Sequence, residues 1–333
     1  MSGFLIRRTV EGLLALVVVS VIMFGLLAMG PNPLEQLKQN PNITSKDIAR
    51  LTKLNGWDKP ITSQYVHWAT GFVKGDLGTS TVDQRKASTK IMERLPLTLM
   101  VTGMSMILSL SIALPIGAYV AVRKDSTADY VASLMTYGMM AAPSFFIGLL
   151  LQLFALKLQD MNGGSLWFYT GGPPQCTSGG GLFHTAFSCI ATPIEVFRRL
   201  ALPVTALSIL QIAGWSRYMR SELLGVLNAD YIRSARAKGL DSKLVFMRHA
   251  IRNALLPLVT IIALDVAALF GGATITERVF GLPGMGNLLW DALSQKDIAV
   301  ILAIVMIGAA LVLLMNTVAD ILLGILDPRV RMT

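Results

Sequence analysis

Apolar and polar positions follow one another along this chain in long blocks, not with the short period of a half-buried strand or a surface helix. Near-continuous apolar runs extend from Gly12 to Gly30, Leu97 to Val122, Tyr130 to Leu156, Leu200 to Ser216, Ala254 to Thr276, and from Ile298 to just before Asp320. A run of about 17 residues or more with few charges is long enough to cross the roughly 30 Å hydrocarbon layer as an α-helix. The pattern therefore predicts an all-α membrane protein with six transmembrane helices. The second and third form a hairpin about a polar turn carrying Arg123, Lys124, Asp125 and Asp129. The first run sits where a signal peptide would. Its apolar core exceeds the roughly 7 to 15 residues of a signal sequence, and no clear small-residue cleavage site follows, so it reads as a membrane helix.

The polar segments set the orientation. Short loops rich in Lys and Arg stay on the cytoplasmic side. Arg7 and Arg8, Arg123 and Lys124, the basic residues from Arg217 to Arg252, and Arg329 and Arg331 all fall on one side of a six-helix path. Both termini are then cytoplasmic, and the chain is a multi-pass protein of a plasma membrane. Composition agrees, with 53% hydrophobic and only 15% charged residues, outside the habit of soluble domains. The net charge of +9 is accounted for by these inner loops and by attraction to anionic membrane lipid. No RNA-binding aromatic motif, zinc-finger spacing or basic DNA-reading helix is present, so nucleic acid is not an expected partner.

The organisation that follows is an N-terminal tail and first helix (1–30), an outer helical cap (31–95) and a core (96–333) with an outer loop at 157–199 and an inner loop at 217–253. The cap shows helical spacing at Ile48, Leu51 and Leu54 and an aromatic cluster of Trp57, Tyr65, Trp68 and Phe72, which suits the bilayer interface. The outer loop holds both cysteines, Cys176 and Cys189. An oxidising exterior permits a disulfide between them; two unpaired thiols are the alternative, and with only His184 between them they make a poor metal site.

Asp265 interrupts the fifth run. A carboxylate in mid-helix is costly unless it faces water or a partner, so it either lines a solute route or is neutralised or hydrogen-bonded by its surroundings. Asp320 and Asn316 lie one turn apart near the inner end of the last helix, where a bond to backbone or to an inner Arg is expected. The Gly and Pro residues of "FGLPGMG" suit a sharply turned or re-entrant outer element shielded from lipid.

The inner loop "ADYIRSARAKGLDSKLVFMRHAIRNALLP", residues 229–257, predicts two short helices. Asn228 or Asp230 caps the first, over Tyr231 to Lys238, and Gly239 provides its left-handed end. Asp241 caps the second, with Leu244, Val245, Met247 and Ile251 at helical spacing. Ile232 and Ala235 share a face beside Ser234. Such a face is either a knob for a partner's groove or a surface lying on anionic lipid.

"YIRSARAKGL" followed by "HAIRNALLP" resembles the cytoplasmic coupling loop of ABC importer permeases of the dipeptide, oligopeptide and nickel family. The family's Glu-Ala-Ala and following Gly correspond to Arg233, Ser234, Ala235 and Gly239, the Glu being absent. "FLIRRTVEGLL", "GDLGTS", "ERVFGLPGMGNLLWDAL" and "DPRVR" resemble further segments of the same family in the same order. The resemblance implies a type I ABC importer permease architecture in a bacterial inner membrane, a non-catalytic subunit forming half of a translocation pathway. It assigns ATPase coupling to Tyr231, Ile232, Ser234, Ala235, Arg236, Gly239 and Leu240. It also implies a second homologous permease, two ATPase subunits that bind ATP and Mg, and an extracytoplasmic binding protein, for which the cap is a candidate docking surface. The chain itself has no G-x-x-x-x-G-K-[ST] phosphate loop and no expected cofactor. Peptides are the expected solute, with nickel or another small solute as the alternative. A proton-coupled secondary transporter and a membrane hydrolase are the competing classes. The first would not need the coupling loop, and the second needs clustered His, Ser or carboxylates that His67, His184 and His249 do not supply.

Overall fold

A computed structural model describes residues 2–30, 44–55, 58–161, 163, 167–172, 193–270 and 273–326. Cys176, Cys189, His184, Trp57, Arg329 and Arg331 lie outside the described residues, as do the side chains of Leu51 and Leu54.

The described chain is helical: α1 Ser2–Ala28, α2 Ser45–Asn55, α3 Ile61–Val73, α4 Ala87–Val122, α5 Thr127–Ala141, α6 Ser144–Met161, α7 Pro193–Leu227, α8 Asp230–Ala237, α9 Ser242–Leu244, a π-helical segment Val245–Ile251, α10 Arg252–Phe270, α11 Thr274–Val279, α12 Met285–Ser294 and α13 Ile298–Leu326. Six of these are long and apolar enough to cross a membrane: Ile6–Ala28, Ala87–Val122, Ser144–Met161, Ile194–Leu227, Ser242–Asp265 and Ile298–Leu322.

Three differences from the apolar pattern shape the site. The third apolar run is two helices, because Ala142, held extended at ψ 130° by the following Pro143, separates α5 from α6. The fourth run undercounts its helix: α7 has 35 residues, about 52 Å at 1.5 Å per residue, and carries Arg217 and Arg220 on past the apolar stretch. The second inner helix merges through the π segment into α10, so the fifth span begins at Ser242.

The centre of the molecule is the pair α4 and α7, packed along most of their length. Without a hydrophobic gain between helices in lipid, close approach depends on small residues and polar bridges. Gly117 supplies the first, since a Cβ there would stand 2.8 Å from Met219 Cβ and closer still to the Ser216 carbonyl. Ser109 Oγ donates to Gln211 Oε1 at 2.7 Å, and Ser208 Oγ donates to the Ser105 carbonyl at 3.1 Å. Pro96 and Pro115 lie within α4, Pro203 within α7 and Pro257 within α10. α10 and α13 pack together, and α1 leans on α13 at the edge, where its exposed Leu14, Val18, Val21 and Ile22 face the lipid region. α3 folds back over α1, Phe24 meeting Tyr65 and Trp68 ring to ring at 5.5 and 5.6 Å.

Candidate functional site

The inner ends of α4 and α7, together with α8 and the π segment, enclose one apolar cluster: Ala118, Ala121, Met219, Leu223, Ile232, Val245, Ala250 and Ala254. It fixes the segment that the sequence singles out. Ala229 occupies the N-cap of α8 in an extended conformation without a side-chain cap. Asn228 turns its amide back to the Leu224 carbonyl, and Asp230 pairs with Arg233 at 3.6 Å, so neither caps the helix. Gly239 closes α8 at φ +76°, a conformation costly for any residue with a Cβ. Asp241 caps the next helix, its carboxylate accepting from the Lys243 and Leu244 N–H groups at 3.1 and 3.3 Å.

The burial pattern on α8 corrects the face expected to meet a partner. Ile232 has no exposed surface and Ala235 packs beside it, so this face anchors the helix to its own chain. Facing outward are Tyr231, Arg233, Ser234, Arg236, Lys238, Gly239 and Leu240. Beyond them stand Leu244 and Met247, the latter 57% exposed. The result is an apolar surface of Tyr231, Leu240, Leu244 and Met247 bordered by cationic side chains, held in place by a buried Ile232.

A second inner contact braces this region. Arg220 donates from Nε and Nη2 to the two carboxylate oxygens of Asp129, both at 2.6 Å. The Asp129 side chain is 5% exposed and that of Arg220 29%. The same carboxylate accepts from the Asp125 N–H, and Ser126 caps α5 by accepting from the Asp129 N–H. The paired guanidinium, reinforced by these bonds, holds the Asp129 carboxyl below its ordinary range. The pair ties the α4–α5 turn to the inward extension of α7, while Arg217 lies over the Tyr137 ring at 4.4 Å.

At the end of the bundle away from α8, two buried carboxylates organise the surface. Asp297, 1% exposed, accepts from Ser80 Oγ and from the Thr81 N–H, with Lys90 Nζ at 3.7 Å. This is what "GDLGTS" builds: Gly75 and Gly78 take φ of +86° and +84°, and Asp76 accepts from the Gly78 N–H. The loop thus delivers Ser80 to the start of α13. Glu277, 3% exposed and outside the spans, accepts from Thr98 Oγ1 at 2.7 Å and from the Asn287 N–H at 2.9 Å. Burial pushes its carboxyl up, against the lowering effect of these donors. A Cβ on Gly284 would fall inside that carboxylate, and one on Gly286 would lie 2.6 Å from Thr274 Cα. Gly284 is therefore required by close approach to Glu277 and Gly286 by close approach to Thr274, while Gly281 takes a positive φ of +61°. Neither Asp297 nor Glu277 stands out in the sequence, since their side-chain partners Ser80 and Thr98 lie 217 and 179 residues away; the Gly-rich signatures are the visible trace. Among the described residues, no group of three or more His, Cys, Asp or Glu is placed to hold a metal ion.

Comparison with known proteins decides what this arrangement belongs to. A family model described as the binding-protein-dependent transport system inner membrane component matches residues 113–332, and its N-terminal counterpart matches residues 1–102. The chain belongs to this permease family. It is 36% identical to an oligopeptide transport system permease protein of Bacillus subtilis, over 99% of this chain and all of that one. It is 32% identical to an oligopeptide transport system permease protein of Mycobacterium tuberculosis, covering both chains completely. It is also 32% identical to a dipeptide transport system permease protein of Escherichia coli K12, over 99% of each.

Within the permease, Asp265 stands on α10 beside the cluster of Ala113, Trp215 and Leu258. Trp215 Nε1 donates to its Oδ2 at 2.6 Å, and the residue stays partly exposed. Asp320 meets the inner arginine expected of it: Arg8 Nε lies 2.7 Å from Asp320 Oδ2, pinning α1 to α13.

Proposed function

We propose that this permease is one transmembrane half of an ATP-binding-cassette importer for peptides. The observation that carries the reading is its end-to-end similarity to oligopeptide and dipeptide permeases. The exposed apolar surface of the inner segment supports it. On this reading the termini are cytoplasmic in a bacterial inner membrane. Tyr231, Ser234, Arg236, Gly239 and Leu240 contact an ATPase subunit, with Leu244 and Met247 extending the contact; Ile232 and Ala235 hold the helix in position from within. The chain is non-catalytic: ATP and Mg are bound by two partner ATPases, a second homologous permease completes the pathway, and an extracytoplasmic binding protein delivers the peptide.

Asp265 is our candidate for the residue that acts on the solute, supported by its partial exposure. A carboxylate has room for about four hydrogen bonds and Trp215 supplies one, so the group retains acceptor capacity for the α-ammonium of a passing peptide.

The test is capture of the ATPase by the detergent-solubilised permease, wild type against Leu240→Asp and Met247→Asp. Both positions are exposed, so folding is preserved. Capture by the wild type and its loss in both variants, at unchanged melting temperature, is the expected result. Equal capture by all three, or none by any, removes the coupling assignment.

A further inference from the structure

The face that α7 turns to α4 carries a polar seam within the span Ile194–Leu227. Ser105 and Ser208 are buried, and their hydroxyls donate to the carbonyls of Thr102 and Val204 at 2.8 and 2.7 Å. Gln211 ends the seam differently. It is partly exposed, and its side chain makes one bond among the described residues, to Ser109 Oγ at 2.7 Å. An amide carries two N–H donors beside its carbonyl. Whichever way it is turned on Ser109, at least one N–H is left without a partner among the described residues. An unpaired donor facing hydrocarbon is costly, whereas one facing a polar route is not.

The surroundings of Gln211 say what such a route carries. Trp215 follows one turn later on the same face of α7, where side chains stand about 5–6 Å apart at Cβ, and its Nε1 donates to Asp265 Oδ2 at 2.6 Å. Beside Gln211 the helix surface is open, since a Cβ on Gly214 would meet nothing within 4 Å. A free amide donor and a carboxylate with spare acceptor capacity therefore stand about one helical turn apart where α7 meets α10. A peptide carries the complementary pair. Its α-ammonium donates and its first carbonyl accepts, and successive residues advance by about 3.3–3.6 Å, a spacing that spans the two side chains.

We infer that Gln211 is a second solute contact, donating its free N–H to the first peptide carbonyl while Asp265 takes the α-ammonium. The inference rests on the reading of this chain as a peptide permease with Asp265 on the solute route. A backbone carbonyl is common to all peptides, so this contact selects for a peptide bond next to a free N-terminus and leaves side chains unread.

Uptake by vesicles reconstituted with the permease and its partner subunits tests this, comparing one peptide with its analogue in which the first carbonyl is a thiocarbonyl, a weaker acceptor. Gln211→Met keeps the bulk of the side chain and removes the amide. The wild type should transport the normal peptide roughly fivefold faster than the thio analogue, as for one neutral hydrogen bond. In Gln211→Met the ratio should fall to about one. Because the comparison is a ratio of ratios, any preference of a binding protein for either peptide cancels. A ratio equal in wild type and Gln211→Met overturns the proposal, and is the result expected if the free N–H is taken by a second permease subunit. If Gln211→Met fails to fold, Gln211→Leu decides in its place. Asp265→Asn separates the two contacts. A thio effect that persists in Asp265→Asn, and is abolished by Gln211→Met in that background, upholds Gln211 even where the ammonium assignment fails. Discrimination of acetylated peptides without any Gln211-dependent thio effect sinks Gln211 alone.

Discussion

The Asp129–Arg220 pair shows how one carboxylate can lock a loop. Its two oxygens are met by a guanidinium fork and a backbone N–H, the strongest geometry for such a contact. Replacing Asp129 by Asn removes the fork and leaves a half-buried guanidinium without its counter-charge. The expected cost is about 2 kcal/mol, reduced from the figure for a fully buried pair because Arg220 retains contact with water. The pH dependence has a definite sign. The folded carboxyl titrates below its unfolded value of 3.8, so its contribution is complete above that value and is lost as pH falls through the lower, folded one. Thermal melts of wild type and Asp129→Asn should differ at pH 7 and converge as the solution is acidified below pH 4. At Glu277 the residue-scale requirement is steric as well: Gly284→Ala places a methyl group in the space of the buried carboxylate. It should lower the melting temperature by several degrees, whereas Gly225→Ala, where a Cβ meets nothing, should not.

At the scale of the element, α8 is a short helix that does two jobs with opposite faces. Its inner face rests on Met219, Leu223 and Val245 through Ile232; its outer face presents Tyr231 and Ser234. Substitutions should therefore separate cleanly. Ile232→Ala opens a cavity in a buried cluster and should cost about 2–5 kcal/mol of stability, read by chemical denaturation, while the folded fraction still captures the ATPase. The Asp variants at Leu240 and Met247 should do the reverse. The sequence marked this segment and its glycine stop, because Gly239 and Asp241 act locally and their signals are local. It did not show that Ile232 faces inward, since the spacing of Ile232 and Ala235 is the same for an anchor in a partner and an anchor in the chain. The length of α7 was hidden for a related reason. Arg217 and Arg220 end an apolar run but do not end a helix; arginine is a good helix former, and both find partners in Asp129, Tyr137 and Met140. The π segment between α9 and α10 left no sequence signal of its own.

Across the whole molecule, the spans were legible because bilayer thickness imposes a length on apolar runs, whereas the outer latches at Asp297 and Glu277 were not, because each is assembled from residues far apart in the chain. The Glu277 latch holds α11 to α4 through Thr98 and the Asp297 latch holds the "GDLGTS" loop to the start of α13 through Ser80, while the Ile232 cluster joins α4, α7 and α8 at the other end. Asp265 lies on α10, whose inner end continues through the π segment to α9 and the outward-facing Leu244 and Met247. On the proposed reading, this continuous helix connects the partner-facing surface to the carboxylate. If Asp265 receives a peptide ammonium on the way, Asp265→Asn should reduce uptake of peptides with a free N-terminus about tenfold or more. It should leave N-acetylated peptides unaffected and ATPase capture intact. Trp215→Phe, which removes the indole N–H bonded to the carboxylate, should retain the preference for the charged terminus. Transport assays in reconstituted vesicles, comparing free and acetylated peptides of one sequence, read both effects. Equal transport of the two by wild type and by Asp265→Asn would leave the carboxylate as a partner for Trp215 alone.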